Sequence, residues 1–419
     1  MKPTPVLLIT ICLFCNCLLP AQDSLLIQAL EKNRYGLTLE NESLSGAGAD
    51  LLQAEAADNQ FLLIGESHGL AEIPKFTAAL FRQITAQGYR YFATETGPFT
   101  AELLEGWAQT PQFMDQLKEH LRQYPWSIPF YYWQEEAVML HQIVSRQKQQ
   151  GPVVWGLDQE FAGSPRMLLP KLLDYAMDEK GATVIRSYAD QAQKGFATTI
   201  ENGNPAGMFF YSTSADDFAR IRSAINDDPR GQRLLSELEE SWEIYSKYFQ
   251  RQGYASNRQR AEMMKRHFWE YYRVAKQNGD QPKVLIKLGS NHTYRGANGL
   301  NVFDIGNFVN ELASIERTGS FHLYVIGKQG TQNAYNPFTD ESAKQQPYDA
   351  RNYLDRIDIG PLLEASLEGA WTLFDLRPLR PLLFNKTLKE LDPALEKLIW
   401  SYDAFLVIPE VHASLNIDE

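Results

Sequence analysis

Short apolar runs alternate along the chain with stretches in which apolar residues recur every three or four positions. The runs are rich in β-branched and aromatic residues, which is typical of strands buried on both faces of a parallel sheet. They lie at 61–65, 89–95, 152–158, 283–289, 321–327, 370–376 and 404–409. Between the first two runs, Ile73, Phe76, Leu80 and Ile84 follow helical spacing. The alternation predicts an α/β fold with three layers, in which a mostly parallel sheet is flanked by helices.

The stretch at 165–280 departs from this alternation. It is polar and contains long amphipathic helical patterns, but no apolar run that resembles a strand. We therefore expect a helical insertion or cap there, between a first part of the α/β core at 22–164 and a second part at 281–419. Residues 328–350 are rich in polar and turn-forming residues and predict a long surface loop.

The first 21 residues predict a secretory signal peptide. Lys2 precedes an apolar run from Val6 to Leu19, and Ala21 offers a small residue for cleavage. No later segment reaches the roughly 18 apolar residues of a membrane-spanning helix. We therefore expect a secreted or periplasmic protein that has no membrane partner after cleavage.

Composition and charge narrow the classes of function. The chain has 419 residues, is 44% hydrophobic and carries a formal net charge of -12. Nucleic-acid-binding domains normally show the opposite charge balance, so we exclude nucleic acid and expect a small-molecule substrate. All three cysteines lie within the predicted signal peptide. Disulfides, cysteine nucleophiles and thiolate metal sites are therefore not expected in the mature chain.

Four predicted strands end in residues that can carry chemistry. They are Glu66, Ser67 and His68 after the first run, Glu95 after the second, Asp158 after the third, and Asn291, His292 and Arg295 after the fourth. Parallel strands place their carboxyl ends at one edge of a sheet, so these side chains are expected to converge. His68 and His292 are the two histidines, of seven in the chain, at strand-to-loop junctions.

The segment Gly65–Gly69 fits more than one chemistry. It matches the G-x-S-x-G pattern of a nucleophile elbow, in which Ser67 would attack the substrate with Asp158 and His292 as its acid and base. However, the chain before the motif is short and has no HGGG-like loop for an oxyanion hole. His68 would also have no role, which disfavours this hypothesis.

A second hypothesis assigns the chemistry to His68. An imidazole can remove a proton from water near neutral pH when a carboxylate fixes its orientation. Glu66 and Glu95 are candidates for that carboxylate. His292, which arrives from another strand, would polarise a carbonyl group or stabilise an oxyanion.

Three further residues are expected to bind the substrate: Glu72, Asp158 and Arg295. Glu72 follows His68 by four residues and would lie one helical turn away, where it could also orient the imidazole. Arg295 would contribute positive charge to an oxyanion.

A third hypothesis is a metal or haem site. Two histidines with carboxylates suit zinc, manganese or iron, and a histidine can ligate haem. No local spacing such as H-x-x-x-H supports a metal site, so neither metal nor other cofactor is expected under the first two hypotheses.

The same residues resemble a known family. The segment "LLIGESHGLAEIPKFTAALFRQITAQGYRYFATETG" at 62–97 is similar to the opening of erythromycin-esterase-like proteins. "VVWGLDQEF", "KVLIKLGSNHTYRG", "DIGNFVNELA" and "SYDAFLVIPEVHAS" resemble later segments of that family, colinearly over about residues 55–415. The resemblance implies metal-free hydrolysis of an ester. It implies His68 as the base that activates water, Glu66 and Glu95 as residues that orient it or position the substrate, and His292 as a second histidine of the site.

The chain departs from the esterase pattern in two places. Ser67 alone separates Glu66 from His68, whereas macrolide esterases have two residues there. The shorter spacing is similar to that of the related haem-binding ChaN proteins and the metal-dependent Tiki proteins. Gly289 stands where the esterases commonly carry another histidine. A haem- or metal-binding protein without catalysis, or a metal-dependent hydrolase, is therefore the alternative.

Overall fold

A ten-stranded mixed sheet lies at the centre of the protein. The computed structural model describes residues 19–147, 151–277, 281–334, 345–354 and 356–417, without the side chains of residues 19–24. The predicted signal peptide lies outside the described residues as far as residue 18. In the described part of the chain, no helix is long and apolar enough to cross a membrane.

Most strands of the sheet run parallel to their neighbours. The strands are β1 (Arg34–Glu40), β2 (Ser43–Ser45), β3 (Phe61–Glu66), β4 (Tyr89–Thr94), β5 (Val154–Gly156), β6 (Lys283–Gly289), β7 (Ser320–Asn333), β8 (Gln345–Asp349), β9 (Trp371–Asp375) and β10 (Ala404–Val411). Their order is β2-β1-β9-β10-β7-β3-β6-β4-β5, and β8 pairs with β7. The strands from β10 to β5 are mutually parallel, whereas β2, β9 and β8 are antiparallel to their neighbours. The predicted α/β fold with a mostly parallel sheet is confirmed.

Helices connect the strands and cover the sheet. They are α1 (Leu19–Lys32), α2 (Ala47–Asp58), α3 (Glu72–Ile84), α4 (Pro98–Ala108), α5 (Phe113–Gln123), α6 (Gln134–Val144), α7 (Pro165–Leu168), α8 (Glu179–Asn202), α9 (Phe209–Ser212), α10 (Ala215–Ala224), α11 (Pro229–Phe249), α12 (Gly253–Gln277), α13 (Ile305–Ile315), α14 (Ala350–Tyr353), α15 (Gly360–Glu364), α16 (Leu379–Phe384) and α17 (Pro393–Ser401).

Helices bury both faces of the sheet. Successive residues of a strand point to opposite faces, so each strand contributes to two apolar cores. On β3, Leu62 and Ile64 belong to the apolar core shared with α3 and α6. Phe61 and Leu63 belong to a second core, on the side of α12 and α13, where Phe61 lies edge-on to Phe268 with ring centroids 5.6 Å apart. Helices on both faces complete the three predicted layers.

The stretch at 165–280 is helical in its described residues, which form α7 to α12 and no strand. Its last helix, α12, packs directly on the sheet through Met264, Phe268 and Tyr272. Away from the sheet, helices of this stretch pack on one another, for example through the Phe218 and Trp242 rings. The division of the chain into units at residues 164 and 280 stays a prediction.

The prediction of a long surface loop at 328–350 was wrong for the residues that the structure describes there. β7 continues to Asn333, and β8 begins at Gln345 and pairs with it. This extension of β7 lies beyond the apolar core and alternates between partly exposed and exposed residues from Lys328 to Gln332. Its hydrogen bonds come from the backbones of β8 and the end of β10, so its pairing needs no apolar run.

Candidate active site

The carboxyl ends of neighbouring parallel strands form the site. β3 ends at Glu66, directly opposite Gly289 of β6. Glu95 follows the end of β4, and Asp158 follows β5 by two residues. Because β3, β6, β4 and β5 are adjacent in the sheet, their ends lie side by side at one edge.

The turn after β3 is held in place by the end of β7. Gly69 has φ +80°, and a Cβ atom there would lie 2.1 Å from the Asn333 carbonyl oxygen. The Gln332 side chain donates a hydrogen bond of 2.7 Å to the carbonyl oxygen of His68. The backbone that carries His68 is therefore fixed by a neighbouring strand, and Gly69 is required by both conformation and space.

His68 is oriented by a carboxylate and still reachable from solvent. Its Nδ1 atom lies 2.9 Å from Glu66 Oε1, and its ring stacks on Phe130 with centroids 4.5 Å apart. The His68 side chain is 27% exposed, against 4% for Glu66 and 8% for Glu95. Among these three groups, the imidazole is therefore the one that a small molecule can approach.

Glu95 lies between the two histidines. Its Oε2 atom is 3.7 Å from His68 Nε2, and its Oε1 atom is 3.5 Å from His292 Nε2. The Gly289 amide donates 2.6 Å to Oε2, and Arg260 Nη2 donates 2.9 Å to Oε1. Burial alone would raise the pKa of Glu95, but His292 and His68 hold it well below its usual value. Glu95 is therefore an anion at neutral pH.

His292 is a buried cation. Its Nδ1 atom lies 2.9 Å from Oδ2 of Asp304, the residue that precedes α13 and caps it through the Ile305 amide. Burial alone would lower the pKa of His292, but Asp304 and Glu95 raise it to about 10. The imidazolium form therefore dominates at neutral pH, with Nδ1–H donating to Asp304 and Nε2–H directed toward Glu95.

Arg260 joins the helical stretch to the sheet edge. It lies on α12 and donates from Nε to Asp158 Oδ1 over 2.7 Å and from Nη2 to Asp158 Oδ2 over 2.5 Å. The same Nη2 atom contacts Glu95. Burial alone would lower the pKa of Arg260, but Asp158 and Glu95 raise it further above its usual value. Asp158 thus enters the site as the residue that holds Arg260.

Glu66 is charged and shared between two donors. Its Oε1 atom accepts a hydrogen bond of 2.7 Å from Lys287 Nζ and lies 2.9 Å from His68 Nδ1. Burial alone would raise the pKa of Glu66, but Lys287 and His68 lower it. For His68, burial alone would lower the pKa, but Glu95 and Glu66 raise it.

Glu72 faces away from His68. Its Oε2 atom accepts from the His412 amide over 2.9 Å, and its Oε1 atom lies 2.8 Å from His412 Nδ1. Both carboxylate oxygens are therefore engaged with the segment that follows β10. The structure does not bring Glu72 into contact with the imidazole of His68.

Arg295 lies at the opposite edge of the sheet. It pairs with Asp403, just before β10, and donates 2.6 Å to the carbonyl oxygen of Ser320, the first residue of β7. The short 3-10 turn at Ser290–Thr293 leads the chain back beside the start of β7, where the Thr293 carbonyl contacts His322. Of the predicted site residues, the structure brings together Glu66, His68, Glu95, Asp158 and His292, and separates Arg295 from them.

Ser67 is buried and takes no part in the hydrogen bonds of these groups. Its side chain is fully buried, and Oγ has no hydrogen-bond partner among the described residues. A serine nucleophile needs a base within hydrogen-bonding reach. The geometry around Ser67 therefore does not supply the pair that a nucleophile elbow requires.

Four residues of the site were not identified from the sequence: Phe130, Arg260, Lys287 and Asp304. Lys287 could have been noticed, because it lies between apolar residues inside the strand that begins at Lys283, and a buried charge needs a partner. Asp304 could be recognised as a helix cap, but not as the partner of His292. Arg260 lies in a helix with many charged residues and carries no distinguishing pattern.

Solved structures share this fold. A protein from Bacillus cereus matches with a TM-score of 0.58 and 13% identity, over 94% of this chain and 99% of that chain. The erythromycin esterase EreC, as a mutant in its open conformation, matches with a TM-score of 0.58 and 14% identity, over 88% of this chain and 95% of its own. A succinoglycan biosynthesis protein matches with a TM-score of 0.59 and 12% identity, over 94% and 98%.

The chain has an erythromycin esterase among its structural neighbours. At these identities the likeness shows the fold alone. No family model and no curated protein matches the sequence.

Gly289 leaves the space that His68 occupies. A Cβ atom at this position would lie 2.8 Å from His68 Nε2, 3.2 Å from His68 Cε1 and 3.3 Å from Glu95 Oε2. The position at which a histidine was expected from the resemblance therefore has no room for a side chain while His68 keeps its contact with Glu66. Here His68 fills the space beside Glu95.

If the imidazole of His68 acts on a substrate, we expect Gly289→Ala to lower kcat on the order of 10²-fold, because the new methyl group displaces an imidazole that would have to be placed within about an ångström. Gly289 has φ −53°, which alanine also adopts, so folding should be preserved. Steady-state kinetics on an ester, with thermal unfolding in parallel, would measure both. Gly106→Ala is the matched control, because a Cβ atom there meets nothing within 4 Å. Equal kcat for both variants would contradict the crowding.

Proposed function

We propose that this protein is a hydrolase in which His68 activates a water molecule for attack on an ester or amide bond of a small molecule. The observation that carries the proposal is the partly exposed imidazole of His68, held by ionised Glu66 on one nitrogen. The fold likeness to an erythromycin esterase supports an ester as the bond that is cleaved.

The contact with Glu66 selects the tautomer of His68. An ionised carboxylate can only accept hydrogen bonds, so the proton of neutral His68 resides on Nδ1. This leaves the lone pair on Nε2, which is 3.7 Å from Glu95 Oε2, too far for a direct hydrogen bond. A water molecule that donates to Nε2 is thereby placed next to a second acceptor. His68, which Glu66 orients through Nδ1, thus forms the acceptor side of the site.

His292 and Arg260 form the donor side. Both are cations that contact Glu95, and their charges lie within the same cluster as His68. Attack by water on a carbonyl carbon moves negative charge onto the carbonyl oxygen, and preorganised cationic donors stabilise that charge. We assign this role to His292 and Arg260 in place of Arg295.

His68 both takes up and releases the proton that the reaction transfers. Nε2 takes one proton from the attacking water as the carbon–oxygen bond forms. The tetrahedral intermediate then collapses, and the same Nε2 gives its proton to the departing alkoxide or amine. The products are an acid and an alcohol or amine, and His68 returns to its neutral form. Glu66 remains ionised throughout and stabilises the transient imidazolium.

The donor set does not fit a metal ion. In the described residues, no group of three histidine, cysteine, aspartate or glutamate side chains is arranged to hold one. Glu95, the carboxylate between the histidines, already accepts from Arg260 and from the Gly289 amide. A metal ion there would also meet the positive charges of Arg260 and His292. We therefore derive no step that uses a metal.

The test is hydrolysis of p-nitrophenyl acetate and of a macrolide lactone by purified protein treated with a chelator. Wild type and Ser67→Ala are expected to be active, whereas His68→Asn is expected to lose most of its activity. Loss of activity in Ser67→Ala would restore the serine nucleophile. Loss on chelation with recovery on metal addition, or a haem absorption band in the visible spectrum, would favour the metal- or haem-binding alternative.

The pH dependence of kcat/KM follows from the two histidines. The base must be neutral, and the pKa of His68 is raised above 6.5, so activity should rise with pH through a midpoint above that value. His292 must stay protonated, so activity should fall again near its pKa of about 10. A pH profile over both limbs measures this bell shape. Glu66→Gln removes a charge that raises the pKa of His68, and should move the first midpoint to lower pH. A profile with no rising limb above 6.5 would contradict the role of His68.

The cellular location is proposed from the N-terminal segment alone. An apolar run that ends before Ala21 supports secretion or export to the periplasm, where the substrate would be a small molecule outside the cytoplasm. N-terminal sequencing of the exported protein, with cleavage after Ala21 as the expected result, would test this.

A further inference from the structure

A lysine is buried inside the parallel sheet. Lys287 lies on β6 opposite Ile64 of β3 and Thr94 of β4, and its side chain is 4% exposed. Its Nζ atom donates 2.7 Å to Glu66 Oε1 and 2.7 Å to Oε1 of Glu136 on α6. Glu136 is 5% exposed. The carboxylates of Glu66 and Glu136 thus enclose one ammonium group, and Glu66 in turn contacts His68, the proposed base.

Side-chain alternation explains how Lys287 reaches Glu66. On β6, Leu285, Lys287 and Gly289 follow each other at two-residue spacing and face the side of α3 and α6. Gly289 is opposite Glu66 in the register, so Lys287 starts two residues before the sheet edge. Its side chain extends along the strand toward that edge and ends on the carboxylate.

This cluster is a poor device for stability. Removing a lysine and two carboxylates from water costs several kcal/mol for each ion, and well-packed apolar residues of similar volume are often as stabilising or more so. Leu285, two residues earlier on the same face, shows the apolar choice that the sheet makes elsewhere. The reason for Lys287 is therefore to be found in what its ammonium group holds.

What it holds is the oxygen that orients the base. Glu66 Oε1 accepts a hydrogen bond from Lys287 Nζ and is also in hydrogen-bonding contact with His68 Nδ1. The position of the ammonium group therefore fixes the direction of the carboxylate. Burial and Glu66 raise the pKa of Glu136 to about 7 despite Lys287, whereas the pKa of Glu66 is lowered. A proton that enters the cluster is therefore bound by Glu136, and Glu66 keeps its charge.

We propose that Lys287 and Glu136 are positioning residues for the hydrolytic reaction: Glu136 anchors the Lys287 ammonium group, and Lys287 holds the Glu66 carboxylate ionised and directed at His68. The inference rests on the proposed function, because it assigns a role to the group behind its base. Neither residue contacts the substrate in this role.

The experiment compares Lys287→Met with Lys283→Met. Both variants replace a lysine of the same strand by an apolar residue of similar length, but Lys283 lies at the amino end, where Nζ contacts the carbonyl oxygens of Ala56 and Ala57. We expect Lys287→Met to lower kcat on the order of 10²-fold with little change in KM, because the base loses its orientation rather than its site for substrate. Lys283→Met should retain the wild-type kcat.

A second readout does not depend on turnover. NMR of histidine labelled with ¹⁵N reports which ring nitrogen of His68 carries the proton. Wild type should show the Nδ1–H tautomer in the neutral form, and Lys287→Met should weaken this preference, because the Glu66 carboxylate loses the donor that directs it at Nδ1. Lys287→Arg should restore the tautomer and part of kcat, since a guanidinium group also bridges two carboxylates. Glu136→Leu should lower kcat less than Lys287→Met does.

Folding of the variants is controlled by the double variant Lys287→Met/Glu136→Leu. It removes one charge of each sign and leaves Glu66 paired with His68, so it should fold even if Lys287→Met does not, and its kcat should stay low. Unchanged kcat and an unchanged His68 tautomer in either Lys287→Met variant would overturn the inference while the proposed function stands. If His68→Asn also hydrolyses esters at the wild-type rate, the proposed function itself fails.

Discussion

His68→Asn is expected to lower kcat by a factor on the order of 10³, since general-base catalysis by a positioned side chain contributes roughly 10² to 10⁴. Asparagine can still form a hydrogen bond with Glu66, but it cannot accept a proton from water near neutral pH. The loss should appear in kcat rather than in KM, because the imidazole acts on water and not on the bound substrate.

The matched control is His412→Asn. His412 also contacts a glutamate through Nδ1, but its side chain is 70% exposed and its partner Glu72 lies outside the contacts of His68. Its replacement should leave kcat unchanged. Ester hydrolysis measured with both variants separates a specific base from a general effect of removing a histidine. Comparable kcat values for both variants would remove His68 from the mechanism.

Arg260→Leu is expected to lower the free energy of unfolding by about 3–5 kcal/mol, the cost typical of removing one partner from a buried ion pair. Asp158 and Glu95 are 10% and 8% exposed; Asp158 would be left without the cation that it contacts, whereas Glu95 would keep its contact with His292. Arg260 itself is 24% exposed, which places the expected loss toward the lower end of this range. The same variant should lose activity, because Arg260 is a donor of the site.

Urea unfolding of Arg260→Leu and Arg266→Leu would measure the difference. Arg266 lies on the same helix and pairs with Glu240, but its side chain is 52% exposed, so its loss should cost less than about 1 kcal/mol. Equal stability of the two variants would mean that Arg260 does not carry the buried contacts. A second variant, Asp158→Asn/Arg260→Leu, should recover part of the stability, because the unpaired charge of Asp158 is gone.

The central strands could be predicted because they are buried on both faces. The runs at 61–65 and 283–289 are apolar almost throughout, and parallel pairing requires this. β1, β2 and β8 were not predicted, because edge and antiparallel strands keep one side polar and β2 has three residues. A strand that is buried on both faces has an apolar sequence that reveals it, whereas a strand that pairs only through its backbone at the edge of a sheet does not.

The convergence of the candidate side chains could be predicted as far as they follow strand ends directly. Glu66, Glu95, Asp158 and His292 were found in this way, because parallel topology converts four separate sequence positions into one edge. Arg295 failed this rule, since a turn after β6 intervenes and reverses the direction of the chain. Proximity to a strand end in sequence predicts position only while the chain continues outward from the sheet.

Partners contributed by a helix at great sequence distance were beyond prediction. Arg260 meets Glu95 across 165 residues, and nothing in the helical pattern of α12 marks one arginine among several. The direction of the helix across the sheet decides which residue reaches the edge, and that direction is set by apolar packing of Met264, Phe268 and Tyr272.

The contacts of Lys287 and Arg260 also have a kinetic meaning. Lys287 and Glu66 are separated by 221 residues in the chain, and Arg260 and Asp158 by 102. Contacts at such separations close long loops, so they form after local helices and turns during refolding. Because Glu66 and Asp158 acquire Lys287 and Arg260 only through these contacts, a chain that has regained its helices should still be inactive under the proposed function. Turnover is therefore expected to recover later than secondary structure, when α12 and β6 dock against β3 and β4.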